Sequence, residues 1–107
     1  ADKYEPYMQD VESIIIPTSV QFELYKWANR VKNKQEALKV IALTEQGKVI
    51  PLTTSLSLLA GDLAQEYKLS FADAIIYATA QNEQAELITS DDHFLNLPNV
   101  LYFKKNI

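Results

Sequence analysis

The stretch Leu63-Ala64-Gln65-Glu66-Tyr67-Lys68-Leu69-Ser70-Phe71-Ala72-Asp73-Ala74-Ile75-Ile76-Tyr77-Ala78-Thr79-Ala80 carries the pattern that decides the fold. Ser70 is an N-cap type, and the residues after it read as a helix over 71–84. The first half of that helix, FADAIIYATA, is apolar nearly all round, which is the mark of a central, buried helix. Upstream, Thr54 opens a helix whose stripe is Leu56, Leu59, Ala60, Leu63, Ala64 and Tyr67. Downstream, Glu86-Leu87-Ile88-Thr89 reads as a strand, 92–95 as one helical turn, and Val100-Leu101-Tyr102-Phe103 as a last strand.

The N-terminal half repeats the alternation. Ser13-Ile14-Ile15-Ile16-Pro17 is a buried-strand pattern that stops at proline. Thr18, with Gln21 three residues on, has the form of a capping box. The helix it opens has Val20, Leu24, Trp27, Ala28 and Val31 as its stripe. A second helix is predicted over about 34–46, with Ala37, Leu38, Ile41 and Ala42 inward and Gly47 as its stop. Val49-Ile50-Pro51-Leu52 is a short strand. Strands alternating with helices imply crossover connections and a mostly parallel α/β sheet.

The chain has 107 residues, the size of one domain, and 48% hydrophobic residues. Two glycines and four prolines are too few for a many-stranded sandwich. There is no cysteine, which excludes disulfides and thiolate metal sites. One histidine, His93, excludes a multi-histidine zinc site. The formal net charge of −4 argues against gripping nucleic acid by charge alone. No apolar run approaches the length needed to span a bilayer, so no membrane partner is expected. Any metal chemistry rests on carboxylates, whose oxygens suit Mg²⁺ or Mn²⁺.

In open parallel sheets, ligands bind beyond the carboxyl ends of the strands. Three acids fall where that edge belongs: Glu23 after the first strand pattern, Asp73 in the first turn of the apolar helix, and Asp91 just past Thr89. Each has an ordinary reading. Glu23 can pair with Lys26 at i+3 on a solvated face. Asp73 can act as a capping-box acid for Ser70. Asp91 and Asp92 can cap the turn that follows, and His93 reads as a surface or packing residue. Together the acids suggest more, because converging carboxylates repel one another unless a cation sits among them. Hydrolysis of a phosphodiester uses such a cluster and needs no covalent nucleophile.

PTSVQFEL (17–24), LAQEYKLSFADAIIYATA (63–80) and LITSDDHFLNLPNVLYF (87–103) occur in the order and spacing of PIN domains, and the chain resembles a PIN domain of the VapC toxin type. The resemblance implies a three-layer α/β/α fold with a mostly parallel sheet. It also implies a cytoplasmic, metal-dependent endoribonuclease toxin that cuts RNA, is neutralised by a cognate antitoxin and forms a homodimer. Glu23, Asp73 and Asp91 match the family's catalytic, metal-holding acids, and Thr89 matches the hydroxyl beside the last of them. His93 stands where many members carry another Asp. Lys26 and Arg30, on a helix rich in basic residues, are candidates to guide the RNA backbone, and Tyr4, Tyr7, Tyr25 and Trp27 are candidate interface aromatics.

The family's opening strand, with its first Asp, has no counterpart before Ser13. Asp2 and Asp10 do not match it. Residues 1–107 are therefore expected to be a single PIN-like domain that is N-terminally incomplete, the missing strand and acid coming from a preceding segment of about 15–30 residues. The competing expectation is a catalytically inactive PIN-like module that only docks an antitoxin or RNA. A further alternative is a generic α/β domain whose acids are helix caps.

Overall fold

The structure is a computed structural model that describes residues 14–85, 87–89, 93, 97, 98 and 100–102. The chain divides into two compact units, residues 1–52 and 53–107.

In the first unit, β1 (Ile15–Pro17) leads into α1 (Thr18–Val31), α2 (Lys34–Thr44) and β2 (Lys48–Ile50). β1 and β2 are parallel, with Ile15 opposite Lys48, Ile16 opposite Val49 and Pro17 opposite Ile50. The two helices form the crossover that parallel pairing requires. β2 starts and stops one or two residues earlier than the sequence pattern suggests. The Lys48 N–H donates to the Ile14 carbonyl at 2.8 Å, which opens the ladder, and Pro51 has no N–H to continue it.

The capping box expected at Thr18 and Gln21 does not form. Pro17 is the N-cap, with φ −64° and ψ 145° and no side-chain bond, and Thr18 is already helical. Gln21 finds stronger partners on the other helix: its Nε2 donates to Thr44 Oγ1 at 3.0 Å and to Glu45 Oε2 at 2.7 Å. A tertiary hydrogen bond has displaced a local one.

The inward face of this helix pair is also narrower than expected. Ala28 and Ala37 are buried, and such small side chains let helices approach closely. Val20, Leu24 and Ile41 are half-buried, whereas Trp27, Val31 and Leu38 are about half exposed and Ala42 lies outside. Asn33 caps α2 by accepting the Glu36 N–H at 2.8 Å. The helix ends at Thr44, before the expected stop, and no glycine has a positive φ, so Gly47 is not a left-handed cap.

The second unit contains α3 (Thr54–Tyr67), α4 (Phe71–Asn82), β3 (Leu87–Thr89) and β4 (Val100–Tyr102). Thr53 caps α3 by accepting the Leu56 N–H at 3.2 Å. The stripe of α3 holds as read: Leu56, Ala60 and Leu63 are buried, and Leu59, Ala64 and Tyr67 are half-buried. Ser70 caps α4 as expected, accepting the Asp73 N–H at 3.3 Å. Ala74, Ile75, Tyr77, Ala78 and Thr79 of α4 are buried, which makes it the most deeply buried helix among the described residues. The Tyr77 ring meets Tyr67 edge-on, and its hydroxyl donates to the Pro98 carbonyl. Burial raises the Tyr77 phenol above its ordinary value of 10.0.

β3 and β4 are parallel, pairing Leu87 with Val100, Ile88 with Leu101 and Thr89 with Tyr102. The fold is therefore α/β with parallel strand pairing and a buried apolar helix. Among the described residues each sheet has two strands. No helix among the described residues is long and apolar enough to cross a membrane.

Candidate active site

Asp73 enters the first turn of α4 because Ser70 starts the helix three residues earlier. The capping bond uses the backbone N–H of Asp73, and its carboxylate is turned to His93. That carboxylate is only 16% exposed, and its Oδ2 lies 3.0 Å from Nδ1 of His93, whose own side chain is 71% exposed. A charged group this sheltered requires a partner. Here the partner comes from 20 residues further along the chain. Sequence reading placed His93 at the surface. Its exposure agrees, but the contact with Asp73 makes it part of the site. The signal lay in its position directly after the two acids that follow β3.

Glu23 lies on α1, in the first unit, with its side chain 54% exposed and its Oε2 3.6 Å from Lys26 Nζ. The ordinary i,i+3 pairing therefore does occur. At this exposure such a pair contributes about 0–1 kcal/mol and leaves the carboxylate available to other partners. Lys26 also sits 5.4 Å from the centre of the Phe22 ring. Arg30 is exposed in the last turn of α1, where the helix dipole favours a cation.

Asp91 lies outside the described residues, as do Tyr4 and Tyr7. Thr89 is the last residue of β3, so the backbone after it leaves the carboxyl end of that strand, where Asp91 follows in the sequence. Tyr25 is half-buried and Trp27 is 53% exposed.

Thus the structure brings Asp73 and His93 together within the second unit, while Glu23 belongs to the first. Among the described residues no three Asp, Glu or His side chains are grouped tightly enough to hold a metal ion. The donor set of the observed pair, a carboxylate oxygen beside an imidazole nitrogen, still suits a divalent cation.

Comparison with known proteins agrees with the fold. The family model described as "PIN domain" matches residues 1–100. A toxin–antitoxin complex from Klebsiella pneumoniae contains a similar chain, 30% identical, with 81% of this chain and 71% of that one covered and a TM-score of 0.73. VapBC2 from Rickettsia felis, bound to a DNA fragment from its promoter, contains a chain with the same TM-score of 0.73 at 21% identity, covering 96% of this chain and 85% of that one. No curated protein matches the chain significantly.

Proposed function

The chain belongs to the PIN-domain family, and from that membership we propose that it is a metal-dependent endoribonuclease, the toxin of a toxin–antitoxin pair. The observation that carries the reading is Asp73: a sheltered carboxylate in the first turn of the most buried helix described, turned to His93. Glu23, Asp73 and Asp91 would hold Mg²⁺ or Mn²⁺. When bound, such an ion neutralises the scissile phosphate and lowers the pKa of an attacking water. The protein's own task is to place acids, orient substrate and stay out of the covalent chemistry. Water adds to phosphorus, and the bond to the adjacent nucleotide's oxygen breaks. Thr89 supports Asp91, and Lys26 and Arg30 contact the RNA backbone from α1.

The similar complexes from Klebsiella and Rickettsia support an antitoxin as partner. A homodimer in the cytoplasm completes the proposal, with Tyr25 and Trp27 among the aromatics offered to an interface.

The test is cleavage of a single-stranded RNA by the full chain. Internal cuts are expected with Mg²⁺ or Mn²⁺ and none after chelation. Asp73→Asn is expected to be slower by at least ~10²-fold, equivalent to several kcal/mol of transition-state stabilisation. Intact RNA in both ions, with a folded chain, would leave the second reading: a PIN-like module that binds antitoxin or RNA without cutting.

A further inference from the structure

Residues 26–34 carry Lys26, Arg30, Lys32 and Lys34 and no acid, in a chain with 14 Asp and Glu against 10 Lys and Arg. All four cations are exposed. Lys26 leans on the Glu23 carboxylate and the Phe22 ring. Among the described residues no acid pairs with Arg30, Lys32 or Lys34. Lys34 stands at the first position of α2, where the helix dipole disfavours a cation, so local structure does not account for the cluster. Trp27 lies within it, 53% exposed. On α1, Arg30 is one turn from both Lys26 and Trp27, which makes the indole a neighbour of an unneutralised guanidinium.

An exposed ring beside unneutralised cations is the surface that single-stranded nucleic acid uses: bases stack on the aromatic face and phosphates meet the cations. A duplex keeps its base faces inside the stack and offers its backbone and groove edges instead. A second copy docked face to face over Trp27 would bring the same cations together, which like charge opposes. The charges favour an anionic ligand, and the ring favours one with uncovered bases. We propose that Trp27 stacks an unpaired base of the RNA whose phosphates Lys26 and Arg30 contact, and that it makes the chain select single-stranded over duplex RNA. This inference rests on the RNA-cutting reading above and adds the strandedness of the substrate and the residue that reads it.

Trp27 is the chain's one tryptophan, so tryptophan emission from the full chain reports this position alone. The titrants are a single-stranded oligoribonucleotide of about ten nucleotides and the same strand annealed to its complement, without divalent ions so that neither is cut. The single strand is expected to quench the emission saturably and the duplex to leave it unchanged. Anisotropy of labelled RNA gives the second readout. Single-strand affinity should fall by ~10-fold or more in Trp27→Leu, which keeps an apolar side chain, and stay within about threefold in Trp27→Phe, which keeps a ring. Duplex affinity should move by less than about twofold in either. The slope of log affinity against log salt should not change in Trp27→Leu, because stacking releases no counterions. Single-strand binding with unquenched emission, or equal losses for single strand and duplex in Trp27→Leu, would overturn the inference and leave the nuclease reading standing. Emission that shifts with protein concentration before RNA is added would put a second copy over Trp27 and overturn it as well. No saturable binding of single-stranded RNA to wild type would overturn both readings.

Discussion

Asp73 could serve as a capping-box acid or as a ligand, and both roles use its carboxylate. The cap takes its N–H, and the carboxylate turns to His93. The sequence alone leaves this choice open, because Ser70 three residues before an acid fits either role. Tyr77, on the same helix, shows what the surrounding packing demands. Its ring is fully buried, and its hydroxyl needs the Pro98 carbonyl. Tyr77→Phe is expected to cost about 1 kcal/mol, read from urea unfolding at neutral pH. Burial raises the phenol's folded pKa above the unfolded 10.0. Its contribution is therefore complete below about pH 10 and is lost as pH rises through the folded pKa. The gap between wild type and Tyr77→Phe should shrink at the alkaline end; a gap that widens there would contradict the assignment.

At the scale of elements, α3 and α4 were legible in outline because their starts and stripes are local. Ser70 accepts the N–H three residues on, as read, Thr54 begins α3 although the cap is Thr53 rather than a residue the sequence singled out, and Leu56, Ala60 and Leu63 lie where the 3.6-residue period puts them. The ends of these helices were less legible. α3 stops at Lys68, with φ 56°, and the chain beyond α4 turns at Gln84, with φ 55°. Both are left-handed positions, where glycine is the usual signal, and neither residue gives that signal. Gln84→Gly and Lys68→Gly are therefore each expected to stabilise by about 0.5–1 kcal/mol in thermal or urea unfolding. Destabilisation at both would show that side-chain contacts, not backbone strain, govern these turns. α1 was misread at its start because Gln21 bonds to Thr44 and Glu45, partners more than 20 residues away. That helix also carries the RNA-guiding proposal. Reversing the charge of Lys26 and Arg30 together should weaken RNA binding at low salt. It should also reduce the slope of log affinity against log salt by about 1.4, two phosphate contacts on a single strand. An unchanged slope would remove α1 from the RNA path.

At the scale of the whole molecule, the family was legible because three motif stretches spread over most of the chain keep their order and spacing. The proposed metal site was legible only as a set of acids, since whether they converge depends on tertiary placement that sequence spacing does not fix. The single-domain reading of residues 1–107 has a direct consequence: one cooperative unfolding transition, with coincident midpoints by circular dichroism and tyrosine fluorescence. Two separated transitions would show residues 1–52 and 53–107 folding independently. The proposed role of Asp73 in holding a catalytic divalent ion is read from calorimetric titration of Mn²⁺ into wild type and Asp73→Asn. Saturable binding to wild type is expected, with at least ~10-fold weaker binding to the variant, a loss of about 1.4 kcal/mol or more. Equal Mn²⁺ affinity in the two proteins would contradict it.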